Sequence, residues 1–197
     1  MNRKAFNRIN YGLFLVGSVL EGKYQGCVVN SLHQITSTNP AKFSLSLNKS
    51  NETYKAVEAA GSFAATVLER GTPKELVDLF GYKSGRVVDK YEGFQVETDE
   101  AGNPYVKDHA LARISCKIVD KLDLGSYVLF VCEATEAEVL GEGPAMTLDD
   151  YRGEGGATPA AATVVRIVEE VAWRCTICGY IAERETLPDD YRCPICR

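Results

Sequence analysis

Residues 43–57 read FSLSLNKSNETYKAV, and the pattern changes period halfway through. Phe43, Leu45 and Leu47 alternate with Ser44, Ser46 and Asn48, which predicts a strand with one apolar face. From Thr53 the stretch TYKAVEAA (53–60) predicts a short helix, with Asn51 as its N-cap. Upstream, YGLFLVGSVL (11–20) and QGCVVNS (25–31) predict two strands, and EGKYQG (21–26) reads as the hairpin turn between them. Downstream, GSFAATVLE (61–69) returns to strand and PKELVDLF (73–80) predicts a second helix closed by Gly81. LARISCKIVDKLD (111–123) and SYVLFVCEATEAEVL (126–140) predict two longer strands joined through Gly125. Many short strands with two small helices imply a mainly β fold of α+β character, a β-barrel.

The chain has 197 residues, 45% hydrophobic and 25% charged, with a net charge of −5. That composition suits one medium domain plus a small one. The acidic balance argues against non-specific nucleic-acid binding. Arg3, Lys4 and Arg8 precede the apolar run 13–20, but Gly17 breaks it and no small-x-small cleavage site follows, so the run reads as a buried strand rather than a leader. No stretch approaches the roughly 20 apolar residues of a membrane helix. The chain therefore reads as cytoplasmic, without a membrane or nucleic-acid partner, and its thiols as reduced.

Composition changes at Gly153. GEGGATPAAAT (153–163) lacks large apolar residues, the signature of a linker. The expected organisation is a first domain over 1–152, a linker and connecting segment over 153–170, and a small module over 171–197. That module carries four of the seven cysteines, as Cys175-x-x-Cys178 and Cys193-x-x-Cys196. Two such pairs supply four thiolates that close a tetrahedron around one metal, and a module this small needs the metal to fold. The spacing alone does not separate iron from zinc, so a structural zinc ribbon stays open.

CTICGY (175–180) followed by LPDDYRCPIC (187–196) resembles rubredoxin in its shortened, rubrerythrin-type form. The resemblance implies one redox iron at Cys175, Cys178, Cys193 and Cys196, for which zinc can substitute. It also implies aromatic packing by Trp173, Tyr180 and Tyr191. Arg197, not glycine, follows the fourth cysteine. In the first domain no dinucleotide or phosphate-loop fingerprint occurs. However, YGLFLVGS (11–18), YQGCVVNSLHQIT (24–36), FSLSLNKSNETYKAV, GSFAATVLE and FGYKSGRVVDKYEGF (80–94) together resemble the flavin reductase-like, FMN-binding split-barrel family.

That resemblance implies FMN as cofactor and NAD(P)H as electron donor. It also implies a homodimer with the flavin near the subunit interface, and a protein acceptor such as a flavodiiron oxygen or nitric oxide reductase. The residue types suit the cofactor. Asn30, Ser31, Gln34 and Thr36 offer short polar groups to the ring edge and ribityl chain. Ser46, Asn48, Lys49, Ser50, Asn51 and Thr53 belong to the strand-to-helix turn, whose amides are expected to face outward toward a phosphate. Lys49 and Thr53 complete that cradle. No side chain is singled out as catalytic, since FMN carries the chemistry. Where family members often have Gly-Asp-His, this chain has Gly125-Ser126-Tyr127.

Taken singly these residues have plainer readings, Asn51 as a helix cap and Lys49 as a surface charge. Cys27, Cys116 and Cys132 sit in apolar runs and read as buried small hydrophobes. His33 and His109 are isolated. Lys83, Arg86 and Lys90 read either as a solvated basic face or as an attraction for a cofactor phosphate. The whole-chain expectation is an NAD(P)H-dependent electron-transfer flavoprotein that relays electrons from FMN to the iron. The alternatives are a flavin or ferric reductase with a structural zinc ribbon, and a non-enzymatic binding module.

Overall fold

The computed structural model describes residues 2–153, 173–175, 181–182, 187 and 191–193. After a 3-10 segment, Arg3–Arg8, the elements run β1 (Phe14–Leu20), β2 (Lys23–Val29), β3 (Leu32–Gln34), β4 (Lys42–Asn48), α1 (Glu52–Ala60), β5 (Ser62–Leu68), α2 (Lys74–Tyr82), β6 (Val96–Thr98), β7 (Pro104–Val106), β8 (Ala110–Asp123), β9 (Tyr127–Val139) and α3 (Leu148–Gly153). Two short strands, β10 (Trp173–Arg174) and β11 (Ile181–Ala182), pair with each other. Apart from Gly153, the expected linker and connecting segment lies outside the described residues.

Seven strands form one sheet in the order β2-β1-β5-β8-β9-β4-β3. Its two edge strands are consecutive in the chain, separated only by Asn30 and Ser31. Laid flat, the edges would stand about 29 Å apart, six spacings of about 4.8 Å. The chain between Val29 and Leu32 reaches at most about 11 Å. The sheet must therefore roll into a barrel, and since β2 and β3 are not hydrogen-bonded neighbours, the barrel is split along that seam.

Both faces of the rolled sheet are covered. Val16, Cys27, Val29, Leu45, Leu47, Phe63, Phe130 and Cys132 pack inside with Val57 of α1. Leu15 and Val28 face outward and pack under Leu76, Val77 and Phe80 of α2 with Met146 and Tyr151. This is why GCVV lacks a polar alternate face. Helix α1 starts at Asn51, whose side chain accepts from the Thr53 amide, and stops at Gly61 in the left-handed conformation (φ 68). Helix α2 runs further than expected. Gly81 is buried inside it and Lys83 is the C-cap, because Phe80 and Gly81 both pack inward.

Gly17 and Gly26 face each other across β1 and β2. A Cβ on Gly17 would collide with the Pro104 carbonyl oxygen, and one on Gly26 with the Tyr91 hydroxyl. Lys90 is 5% exposed. Its ammonium donates to the carbonyls of Gly26 (2.8 Å) and Phe80 (3.1 Å). The three basic residues after α2 thus do not form one solvated face.

Two consequences are measurable. Gly17→Ala inserts a methyl where a backbone carbonyl sits, and is expected to cost about 1–3 kcal/mol in denaturant unfolding. The second concerns Lys90, whose burial lowers its pKa from 10.5 to about 8. Between those values the unfolded chain holds the extra proton, so stability from this group rises with pH. Relative to Lys90→Met, the parent protein is expected to gain about 2–3 kcal/mol between about pH 7 and pH 10. A difference independent of pH would show that Lys90 titrates normally.

Candidate functional site

The seam places Asn30 and Ser31, both buried, where the chain passes from one sheet edge to the other. Ser31 Oγ donates to the Ser46 carbonyl at 2.7 Å, which ties the seam to β4. Strand β3 then runs along β4, with Leu32 opposite Leu45 and Gln34 opposite Phe43. Gln34 is exposed and its amide donates to the Thr36 carbonyl (2.8 Å). The Thr36 hydroxyl accepts from the Lys42 amide (2.9 Å). From Phe43 to Asn48 strand β4 spans about 17 Å. Gln34 and Thr36 therefore stand beside one end of β4 and the β4–α1 turn at the other.

That turn folds differently from the expectation that its amides face outward. Asn48 Oδ1 accepts from the Ser50 amide (2.9 Å) and hydroxyl (2.8 Å). The Lys49 amide donates to the Ser126 carbonyl and the Asn51 amide to the Asn48 carbonyl. The Thr53 amide donates to Asn51 Oδ1 (3.0 Å). Four of the turn's amides thus have acceptors within the protein, two of them asparagine side chains that complete the turn locally. Thr53 is buried, facing Cys27, instead of offering its hydroxyl to the surface.

What the turn presents is charge. Lys49 Nζ contacts both carboxylate oxygens of Asp123, at 2.7 and 2.8 Å. Arg86, from the segment after α2, reaches the first turn of α1 and pairs with Glu52 at 3.2 Å. A helix N-terminus flanked by Lys49 and Arg86 is an anion site in type. The Asp123 carboxylate is the anion that the structure places there. The residue set fits a ligand with a phosphate at one end and polar edges along its length, as a flavin nucleotide has. Asp123 and the Arg86–Glu52 contact escaped the sequence reading. The available signal was Asp123-Leu-Gly125, a turn in which Asp123 Oδ1 accepts the Gly125 amide (2.8 Å).

In the C-terminal module, Trp173 pairs with Ala182 and Arg174 with Ile181. Cys175 directly follows β10. Cys175 and Cys193 are half-buried, whereas Cys178 and Cys196 lie outside the described residues. Four cysteine thiolates suit iron or zinc. The remaining thiols are of another kind. Cys27, Cys116 and Cys132 are buried, and burial pushes Cys116 and Cys132 up to about 12. His109, isolated in sequence, meets Glu69 through Nδ1.

A family model described as flavin reductase like domain matches residues 6–157, and one described as rubrerythrin, rubredoxin-like domain matches 173–197. The chain belongs to the flavin reductase-like family. The reductase is 34% identical to high molecular weight rubredoxin of Moorella thermoacetica, over 100% of this chain and 96% of that protein. It is 39% identical to the ferric-chelate reductase (NAD(P)H) of Archaeoglobus fulgidus, over 83% of this chain and 97% of the relative. Its barrel superposes on flavoredoxin from Methanosarcina acetivorans with a TM-score of 0.61 and 26% identity, over 66% of this chain and 69% of the other. The fold is thus a flavin reductase-type split barrel followed by a rubredoxin-like domain, and the family implies flavin and iron.

Cys175→Ala removes one proposed thiolate of the tetrahedron and is expected to abolish metal retention, measured as metal per chain, while flavin content is preserved. Metal content equal to that of the parent protein would take Cys175 out of the ligand set.

Proposed function

We propose that this reductase takes electrons from NAD(P)H on FMN and delivers them singly, through iron held by Cys175, Cys178, Cys193 and Cys196, to a protein acceptor such as a flavodiiron oxygen or nitric oxide reductase. The observation that carries the reading is the presence of both units in one chain, a flavin reductase-like barrel over 6–157 and a rubredoxin-like domain over 173–197. When bound, FMN accepts two electrons as a hydride and can release them one at a time, which matches a two-electron donor to a one-electron metal.

The chain's own part is binding and placement. Lys49 and the N-terminal end of α1, with Ser50 and Asn51, would hold the phosphate. Asn30, Ser31, Ser46 and Asn48 would face the ribityl and ring, with Gln34 and Thr36 beside the far end of β4. Thr53 would act through the turn, since its amide fixes Asn51. Covalent attachment of the metal module to the barrel raises its effective concentration near the flavin. A homodimer is part of the reading. Leu122 and Leu124 stand exposed on the β8–β9 hairpin that carries Asp123, the type of surface a second copy covers.

A second reading has one observation in its favour. The relative named ferric-chelate reductase matches 83% of the chain, so an iron chelate or free flavin as acceptor, with structural zinc in the module, is the rival. Stopped-flow spectra separate the two. Anaerobic full-length protein mixed with NADH, and separately with NADPH, is expected to lose its flavin band first and its ferric thiolate band second. Zinc-loaded protein is expected to lose delivery to a one-electron protein acceptor. A ferric band that persists after flavin reduction, or undiminished delivery by the zinc form, rejects the relay.

A further inference from the structure

Lys49 already has an anion. Its ammonium lies 2.7 and 2.8 Å from the two oxygens of Asp123, at the tip of the β8–β9 hairpin, 74 positions further along the chain. The contact is built at both ends. On one side the Lys49 backbone amide donates to the Ser126 carbonyl (2.9 Å), which fixes the β4–α1 turn against the hairpin tip. On the other side Asp123 Oδ1 accepts the Gly125 amide, so the carboxylate is held by its own turn. A parallel pair, Lys121 with Glu58 (2.7 Å), joins the same hairpin to α1. The Lys49 ammonium holds the Asp123 carboxyl below its usual range, so Asp123 is an anion at neutral pH.

We propose that Asp123 is a built-in competitor for the flavin phosphate, occupying Lys49 when the site is empty and setting how strongly the protein prefers a phosphorylated flavin over one without phosphate. The inference rests on the reading that FMN phosphate binds at Lys49 and the start of α1. A phosphate dianion arriving there meets an ammonium already neutralised on two oxygens, beside a carboxylate of like sign. Binding must displace Asp123 or share Lys49 with it. Either way the phosphate contributes less to affinity than it would at an open lysine, while the ring and ribityl contacts are untouched. Most of the turn's backbone amides cannot compensate, because those of Lys49, Ser50, Asn51 and Thr53 already have acceptors within the protein.

The size of the effect depends on exposure. The Asp123 side chain is 69% exposed and that of Lys49 35%. An exposed pair of this kind shifts an equilibrium by up to about fivefold, and loss of the neighbouring like charge adds to it, so removing Asp123's charge is expected to be worth about three- to tenfold. The gain is expected to shrink with added salt, since both contributions are screened.

The test uses full-length protein stripped of flavin and titrated with FMN and with riboflavin, which lacks the phosphate. Asp123→Asn keeps an oxygen for the Gly125 amide while removing the charge. It is expected to tighten FMN about three- to tenfold and to change riboflavin by less than about twofold. Asp123→Ser, a second neutral turn residue, should behave alike. Unchanged or weakened FMN binding in both variants, or an equal gain for riboflavin, overturns the proposal. Lys49→Met, measured beside them, isolates the underlying reading. If it leaves FMN binding unchanged, the phosphate is not at Lys49 and both ideas fall. If it weakens FMN alone while the Asp123 variants have no effect, the phosphate site stands and only the competitor role falls.

Discussion

Two residues separate the edge strands of a seven-stranded sheet, and that short reach dictates most of the architecture. The sheet has to roll, and once rolled it has an inside just wide enough for side chains. Valine, leucine and phenylalanine fill that inside, while the outer wall of β1 and β2 needs α2 and α3 to cover it. The seam itself cannot be zipped by a ladder, so polar groups there must find other partners. Ser31 does so by reaching the Ser46 carbonyl.

The same seam explains which parts of the fold could be read in advance. Strand β4 and helix α1 were legible because their signals are local: a period-two alternation and an asparagine cap follow one another over 43–51. Strand β3 has only three residues, and its identity depends on pairing with β4, which no local pattern announces. Gly81 looked like a helix stop, yet close packing at Phe80 and Gly81 carries α2 past it. Lys90 read either as part of a solvated basic face or as an attraction for a cofactor phosphate. It is buried because two carbonyls, one of them 64 positions away, receive its ammonium.

The candidate site divides in the same way. Residue types at Asn30, Ser31 and the β4–α1 turn were legible as polar groups in a row. How the turn spends its amides was not, since Asn48 and Asn51 can either cap their own backbone or offer it to a ligand, and both choices look alike in sequence. The partners of Lys49 and Arg86 were also hidden. Asp123 is on a distant hairpin, and Arg86 crosses to Glu52 from the segment after α2. Both Lys49 and Arg86 are therefore already paired with carboxylates.

Charge control extends to sulfur. Metal binding requires thiolates, and a chain with seven cysteines must keep the wrong ones out of that chemistry. The barrel does this by burial. Cys116 and Cys132 are forced up to about 12, and Cys27 is also raised although the buried Lys90 opposes the shift. At neutral pH these three stay protonated and packed as small hydrophobes. Cys175 and Cys193, only half-buried, lack that degree of enclosure. Burial therefore separates two kinds of thiol along one chain. It places Cys27, Cys116 and Cys132 against the barrel interior and leaves Cys175 and Cys193 only partly enclosed.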